Sequence, residues 1–186
     1  MTGLYRAFDA ATPPGHAPPG CPAVLGYIGG KRATRGWTLA EWQRFGHLRQ
    51  FPAWVPDTRG ENPVQSAADA CRAMKALGWA PNQPARRVVV CDLETEIVPQ
   101  WYQIFAGGVQ LAGFEAIAYG SLSTVGGNLA ADVWVAAFDG SAALPPGQTV
   151  HAHQYAADVP FGGTQVDYSM MDEWLFDRGG RGPRHT

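Results

Sequence analysis

Apolar and polar positions along this chain alternate between two periods, and the switch from one to the other lays out the elements. Runs of β-branched, aromatic or small apolar residues that stop at Gly, Pro or an acid predict strands, and apolar residues recurring three and four apart predict helices. Leu4-Tyr5-Arg6-Ala7-Phe8-Asp9 is a first strand closing on an acid, and the Pro/Gly-rich run 12–22 after it is a loop. Ala23-Val24-Leu25-Gly26-Tyr27-Ile28 is a second strand, followed by Gly29-Gly30, whose lack of Cβ permits a tight turn or a close approach. Thr38-Leu39-Ala40-Glu41 is a capping box that opens a helix, continued by Trp42, Phe45 and Leu48. Phe51-Pro52-Ala53-Trp54-Val55-Pro56-Asp57 is a third strand bounded by prolines. Asn62 as N-cap, with Pro63 in the first turn, starts a long amphipathic helix through Val64, Ala67, Cys71, Met74 and Leu77 that stops at Gly78.

The central stretch is Val88-Val89-Val90-Cys91-Asp92-Leu93-Glu94-Thr95-Glu96. Three valines and a thiol predict a strand covered on both faces, and the acids fall where a buried parallel strand leaves its sheet, the end at which α/β folds keep their chemistry. Side chains alternate in an extended segment, so Asp92 and Glu94 share a side, roughly 7 Å apart along the backbone. Two like charges that close in a partly dry cleft raise the proton affinity of at least one, which leaves a carboxylic acid able to donate near neutral pH. The same acids, or Thr95, also suit the N-cap of a following helix.

Further along, 98–111 is a helix with Trp101, Ile104, Phe105 and Val109 on its buried face, and Gly113 ends it. A fifth strand over 114–120 leads into a short helical segment at 121–124; 132–138 is a sixth strand, 150–155 a seventh, and 161–168 a turn and brief eighth strand ending in Asp167. A helical turn follows at 170–176. The first five strands are mostly separated by helices and the last three by turns, which predicts an α/β fold of the (β/α)8 TIM-barrel kind with an incomplete helical ring. Strands one and eight are neighbours in such a barrel, so Asp9 and Asp167 are expected on the rim from which Asp92 and Glu94 project.

Composition narrows this picture. A chain of 186 residues with 46% apolar content is expected to form one domain over 1–177, with 178–186 a mobile Gly/Arg tail. The formal net charge is −2 and no basic stripe occurs, which argues against nucleic acid as a partner. No apolar run approaches the roughly 20 residues that cross a bilayer, so no membrane partner is expected, and the N-terminal residues carry no leader pattern. Cys21, Cys71 and Cys91 are widely spaced and predict neither disulfide nor zinc. His151 and His153 form the one close histidine pair; without a third ligand nearby, neither metal nor cofactor is expected.

Taken in order, these residues resemble the glycoside hydrolase family 25 lysozymes (N-acetylmuramidases) and their glycoside-hydrolase-like relatives of uncharacterised function. The resemblance rests on Phe8-Asp9, Asp92-Leu93-Glu94, the Tyr119 exit, Val133-Trp134-Val135-Ala136, Gln154-Tyr155 and Val166-Asp167-Tyr168-Ser169, and spans nearly the whole chain. His153 stands where the lysozymes carry Trp, and the second and third strands look more like those of the uncharacterised relatives. The resemblance implies a flattened barrel and hydrolysis of peptidoglycan glycan strands at the bacterial cell wall. It implies Glu94 as general acid, Asp92 as its assistant, and Asp9 and Asp167 as supporting groups. It further suggests Tyr27, Trp54, Tyr119, Trp134 and Tyr155 as sugar-stacking aromatics and Gln154 as a polar contact, although aromatics of a small barrel also serve simply as core. Two rival readings accompany it: a non-catalytic carbohydrate-binding or structural module of a phage particle or cell surface, and a metal-dependent hydrolase using the acidic rim with His153.

Overall fold

A strand covered on both faces has to be paired on both edges, and a set of short strands linked by helices and turns satisfies this by closing on itself. The computed structural model describes residues 3–82, 87–93, 99–125, 129, 131–144 and 149–181. In chain order the elements are β1 (Leu4–Asp9), β2 (Ala23–Gly29), α1 (Leu39–Arg44), β3 (Arg49–Trp54), α2 (Pro63–Ala76), β4 (Val88–Asp92), α3 (Pro99–Leu111), β5 (Glu115–Ser121), β6 (Val133–Ala136), β7 (Val150–Phe161), β8 (Thr164–Asp172), α4 (Glu173–Arg178) and β9 (Gly180–Arg181). Strands β1 to β8 close in sequence order into an eight-stranded barrel, and β9 pairs antiparallel with the start of β3. Four helices among the described residues surround it, so the fold is an α/β, TIM-like barrel with an incomplete helical ring.

Local signals placed several boundaries. Thr38 caps α1 through a complete capping box, and the Arg35 guanidinium clamps the same Glu41 carboxylate at 2.9 and 3.0 Å, holding its pKa down to about 2. Asn62 caps α2, its side chain accepting from the backbone N–H groups of Val64 and Gln65. Strand β3 starts before the expected 51–57, and it also stops earlier: Pro56 has no N–H to pair and the backbone N–H of Asp57 turns to the Glu61 carboxylate instead of a ladder partner.

The eighth strand departs from expectation in direction. Seven strands run parallel, but β8 is antiparallel to both β7 and β1. Gly162 and Gly163 have φ of 56° and 83°, the two positive angles of a two-residue hairpin turn, and so short a connection permits only antiparallel pairing. Strand β7 therefore continues to Phe161, β8 runs on to Asp172, and Asp172 rather than an earlier residue caps the final helix. The span expected as a tail begins with the last residue of α4 and includes β9; residues 182–186 lie outside the described set.

Two apolar layers result. One lies between barrel and helices, and the other fills the barrel itself with alternate strand residues such as Ala7, Leu25, Phe51, Val90, Ile117 and Met171. Helix α4 seals the end where the parallel strands begin: Leu175 is fully buried in the barrel cluster, and Trp174 stacks on His151 at 3.8 Å. His151 is gripped by Asp172 at 2.8 Å and Asp132 at 3.0 Å, fastening that floor to the end of β8 and to the residue that precedes β6. Leu175→Ala is accordingly expected to cost about 2–5 kcal/mol, the range for an apolar truncation at a fully buried site. Urea unfolding measures it, and a loss under half a kcal/mol, on the order of a surface substitution, would mean the floor is not sealed by this side chain.

Candidate active site

Strand parity decides which side chains reach the open end. On β4, Val88 and Val90 belong to the barrel interior while Val89 and Cys91 belong to the outer layer, so Asp92 faces inward at the strand's last position. The same alternation turns Asp9 inward after Ala7, Tyr119 after Ile117, and Gln154 after Ala152. Asp167 shares the face of Ser169 and Met171 on β8 and pairs directly with Asp9 in the β1–β8 register. Because β8 runs backwards, a residue near its start lies at the rim where the parallel strands end. Three of the four acids singled out in the sequence therefore meet at one mouth, and Glu94, with Thr95 and Glu96, lies outside the described residues.

Two adjoining cavities open there. One, of about 270 Å³, is lined by Asp9, Tyr27, Asp158 and Asp167 together with Thr12, Thr164 and Gln165. The other, of about 190 Å³, is lined by Asp92, Tyr27, Arg32, Thr34 and Val55. Tyr27 and Ala11 border both, so the two cavities adjoin at this mouth, with Arg32 in the lining of the smaller one. A larger cavity of about 370 Å³ lies on the flank of the barrel between α3 and the start of β5, lined by Tyr102, Gln110, Glu115 and Asp132. It holds none of the converging rim acids, and size alone does not make it the chemical site.

Asp9 is 5% exposed and Asp92 6%, a degree of burial that carboxylates tolerate only with partners. Asp167 is half-buried, and its arrangement is explicit: the Gln154 amide donates to Oδ2 at 2.7 Å and the backbone N–H of Asp158 donates to Oδ1 at 2.7 Å. The Tyr119 hydroxyl donates in turn to the Gln154 carbonyl oxygen. Burial is the largest influence on Asp167 and pushes its pKa above the usual carboxylate value; the Asp158 charge adds to this, while the two donors oppose it.

The remaining aromatics divide between the two faces. Tyr27 is half-buried and lines the groove, and Trp134 is fully enclosed in the barrel with its indole N–H on Ser169 Oγ at 3.1 Å. Trp54 lies on the outer face, its N–H on Ser66 Oγ of α2 at 2.8 Å, and Tyr155 packs against the outer layer. His153 is buried on that face too, with Nδ1 2.7 Å from the Ala143 carbonyl oxygen. Among the described residues no group of three His, Cys, Asp or Glu side chains is arranged to hold a metal ion.

Asp158 and Arg32 are groove residues that sequence reasoning did not single out. Asp158 reaches it because β7 bulges twice between Gln154 and Val159 and Asp158 takes φ of 56°, a left-handed conformation that Asp accepts more readily than most residues. The signal available was Gly162-Gly163, since a hairpin turn there forces the preceding strand to run past Tyr155.

No protein-family model and no curated protein sequence matches the chain. Solved structures do match in shape. An uncharacterised protein from B. stearothermophilus superposes with a TM-score of 0.72 at 15% identity, over 95% of this chain and 100% of that one. The bacterial lysozyme from Streptomyces coelicolor gives 0.70 at 14% identity, over 95% and 97%. A muramidase from Acremonium alcalophilum gives 0.68 at 12% identity, over 93% and 97%. The chain thus has a lysozyme-like, glycoside-hydrolase-like fold, and function has to be argued from the site.

The outer-face placement of Trp54 is testable through its one hydrogen bond. Trp54→Phe and Ser66→Ala are each expected to destabilise the fold, and a double-mutant cycle should return a coupling of about 0.5–1.5 kcal/mol. Strictly additive losses in denaturant unfolding would break the assignment.

Proposed function

We propose that the protein is a glycoside hydrolase that cleaves the β-1,4 bond between N-acetylmuramic acid and N-acetylglucosamine in peptidoglycan, acting at the bacterial cell wall. The observation that carries this reading is the convergence of Asp9, Asp92 and Asp167 on two adjoining cavities at the open end of a barrel whose other end is sealed. The lysozyme and the muramidase that share the fold add support.

In the proposed reaction Glu94 is the general acid. It gives its proton to the glycosidic oxygen as the bond from that oxygen to the anomeric carbon breaks, while the carbonyl oxygen of the sugar's own N-acetyl group bonds to that carbon. Asp92 keeps Glu94 protonated and orients the N-acetyl group. Water then adds to the anomeric carbon, its proton returns to Glu94, and the N-acetyl group is released intact. Asp9 and Asp167 stabilise the positive charge that develops on the sugar ring. Tyr27, which borders both cavities, lies where a sugar ring in the groove would pass. The route needs no cofactor and no enzyme nucleophile.

Incubation with purified peptidoglycan, followed by an assay of new reducing ends, tests the reading; saturable binding without turnover would instead indicate a carbohydrate-binding module. Glu94→Gln is expected to lower turnover by about 10²- to 10⁴-fold, the usual contribution of a general acid, with thermal unfolding unchanged. Wild-type rates in that variant would remove Glu94 from the mechanism. Asp92→Asn should slow the reaction and lower the pH at which the limb governed by the protonated acid falls, because a like charge near Glu94 is gone; a pH profile superimposable on wild type would mean the two are uncoupled.

A further inference from the structure

We infer that Gln154 is a positioning residue: it fixes the direction of the Asp167 carboxylate and keeps that group available as an acceptor facing the groove. The inference rests on the glycosidase reading of the rim.

Gln154 is 1% exposed, so its amide is committed to protein partners. An amide has one end that only accepts and one that only donates, and an ionised carboxylate only accepts. The NH₂ must therefore face Asp167, as it does at 2.7 Å from Oδ2. This leaves the carbonyl oxygen toward Tyr119, whose hydroxyl donates to it. The reverse orientation would set a carbonyl against a carboxylate, so the acceptor-only Asp167 selects this orientation, and the Tyr119 hydroxyl on β5 anchors it by donating to the amide carbonyl. The second carboxylate oxygen is held by the Asp158 N–H at 2.7 Å, aimed there by the bulges of β7 and the φ of 56°. Both oxygens thus take donors from one strand, and the carboxylate is fixed in direction at the wall of the 270 Å³ cavity.

The surroundings explain why such holding is needed. Asp9 faces Asp167 from β1, Asp158 from β7 and Tyr27 from β2; Asp92 from β4 and Arg32 from the loop after β2 lie in the adjoining cavity, and Tyr119 from β5 acts through Gln154. Three of these six groups are acids; burial, and after it the Asp158 charge, favours a protonated Asp167. The Gln154 amide and the Asp158 N–H favour the ionised form, which is the form that stabilises positive charge on a sugar.

Two readouts test the assignment in the full chain. One is the ¹³C titration of the Asp167 carboxyl, identified by its loss in Asp167→Asn; the other is the pH dependence of kcat and KM on peptidoglycan. Gln154→Glu and Gln154→Met both remove the donor and are expected to raise the Asp167 midpoint by about one pH unit or more, moving the acid limb of kcat upward with it and leaving KM unchanged. Asp158→Asn removes a like charge while keeping a residue that tolerates positive φ, so it should move the midpoint downward. Shifts of opposite sign from two neighbours on one strand do not arise from general loosening. Tyr119→Phe removes the donor that anchors the amide carbonyl and should shift the midpoint in the same direction as the Gln154 variants, which keeps the test intact if Gln154→Glu fails to fold. An unchanged midpoint in Gln154→Met and Tyr119→Phe, or a raised KM with kcat intact, overturns the proposal. If wild type turns over no glycan, the glycosidase reading falls and the carboxyl titration alone decides whether the network holds Asp167.

Discussion

Reversal of the chain at Gly162-Gly163 is the constraint from which the geometry of the rim follows. With φ of 56° and 83° the two glycines turn β7 directly into β8, and β8 then lies antiparallel between β7 and β1 to complete the barrel. A parallel eighth strand would have carried a residue near its start to the sealed floor. The antiparallel one sets Asp167 opposite Asp9, across the last pair of the β1–β8 ladder. Closure and convergence of the acids are therefore one event: the hairpin that removes the sheet's free edge also delivers the third carboxylate.

Inside the barrel, polarity is graded along the axis for a reason rooted in desolvation. A carboxylate buried without partners costs several kcal/mol, so the middle layers hold Val90, Ile117 and Ala152 while charge is confined to the layer that touches water. That layer has few donors to offer, because the ladder hydrogen bonds of a closed sheet consume the backbone N–H groups. Donors have to come from side chains or from breaks in the ladder. Gln154 is the first kind and the bulged Asp158 N–H the second, and both converge on Asp167. The bulges in β7 are in this sense part of the site's electrostatics rather than irregularities beside it.

Much of this was legible in the sequence because it follows from alternation and local capping. The Thr38 box and the Asn62 cap needed no tertiary information, and the continuous apolar run Val88-Val89-Val90-Cys91 ending in acids placed Asp92 at a strand exit. The direction and length of the last two strands were harder. Val150 to Phe161 has no consistent alternation, since the bulges reset the pattern, and Met170-Met171 has the apolar character of a helix while serving as strand. Trp54 shows a different limit. In β3 both faces are apolar, so alternation cannot say which way the indole points, and only the packing of α2 with Ser66 settles it.

The placement of the aromatics has a consequence for how the groove recognises a ligand. Four indole N–H groups meet their acceptors inside the protein: Trp54 on Ser66, Trp101 on the Glu61 carbonyl, Trp37 on the Ala10 carbonyl and Trp134 on Ser169. The large rings are thereby committed to the core and the helix layer, and among the described residues Tyr27 is the aromatic that lines both cavities. The rest of the lining offers carboxylates, a guanidinium, threonine hydroxyls and a glutamine amide. Recognition at such a surface depends on hydrogen-bond patterns more than on ring stacking. That is the stronger discriminator, because a mismatched ligand leaves buried polar groups unpaired, whereas stacking accepts almost any flat apolar face. Under the proposed glycosidase reading the same carboxylates serve selectivity and charge stabilisation, and the donors that hold Asp167 in place serve both.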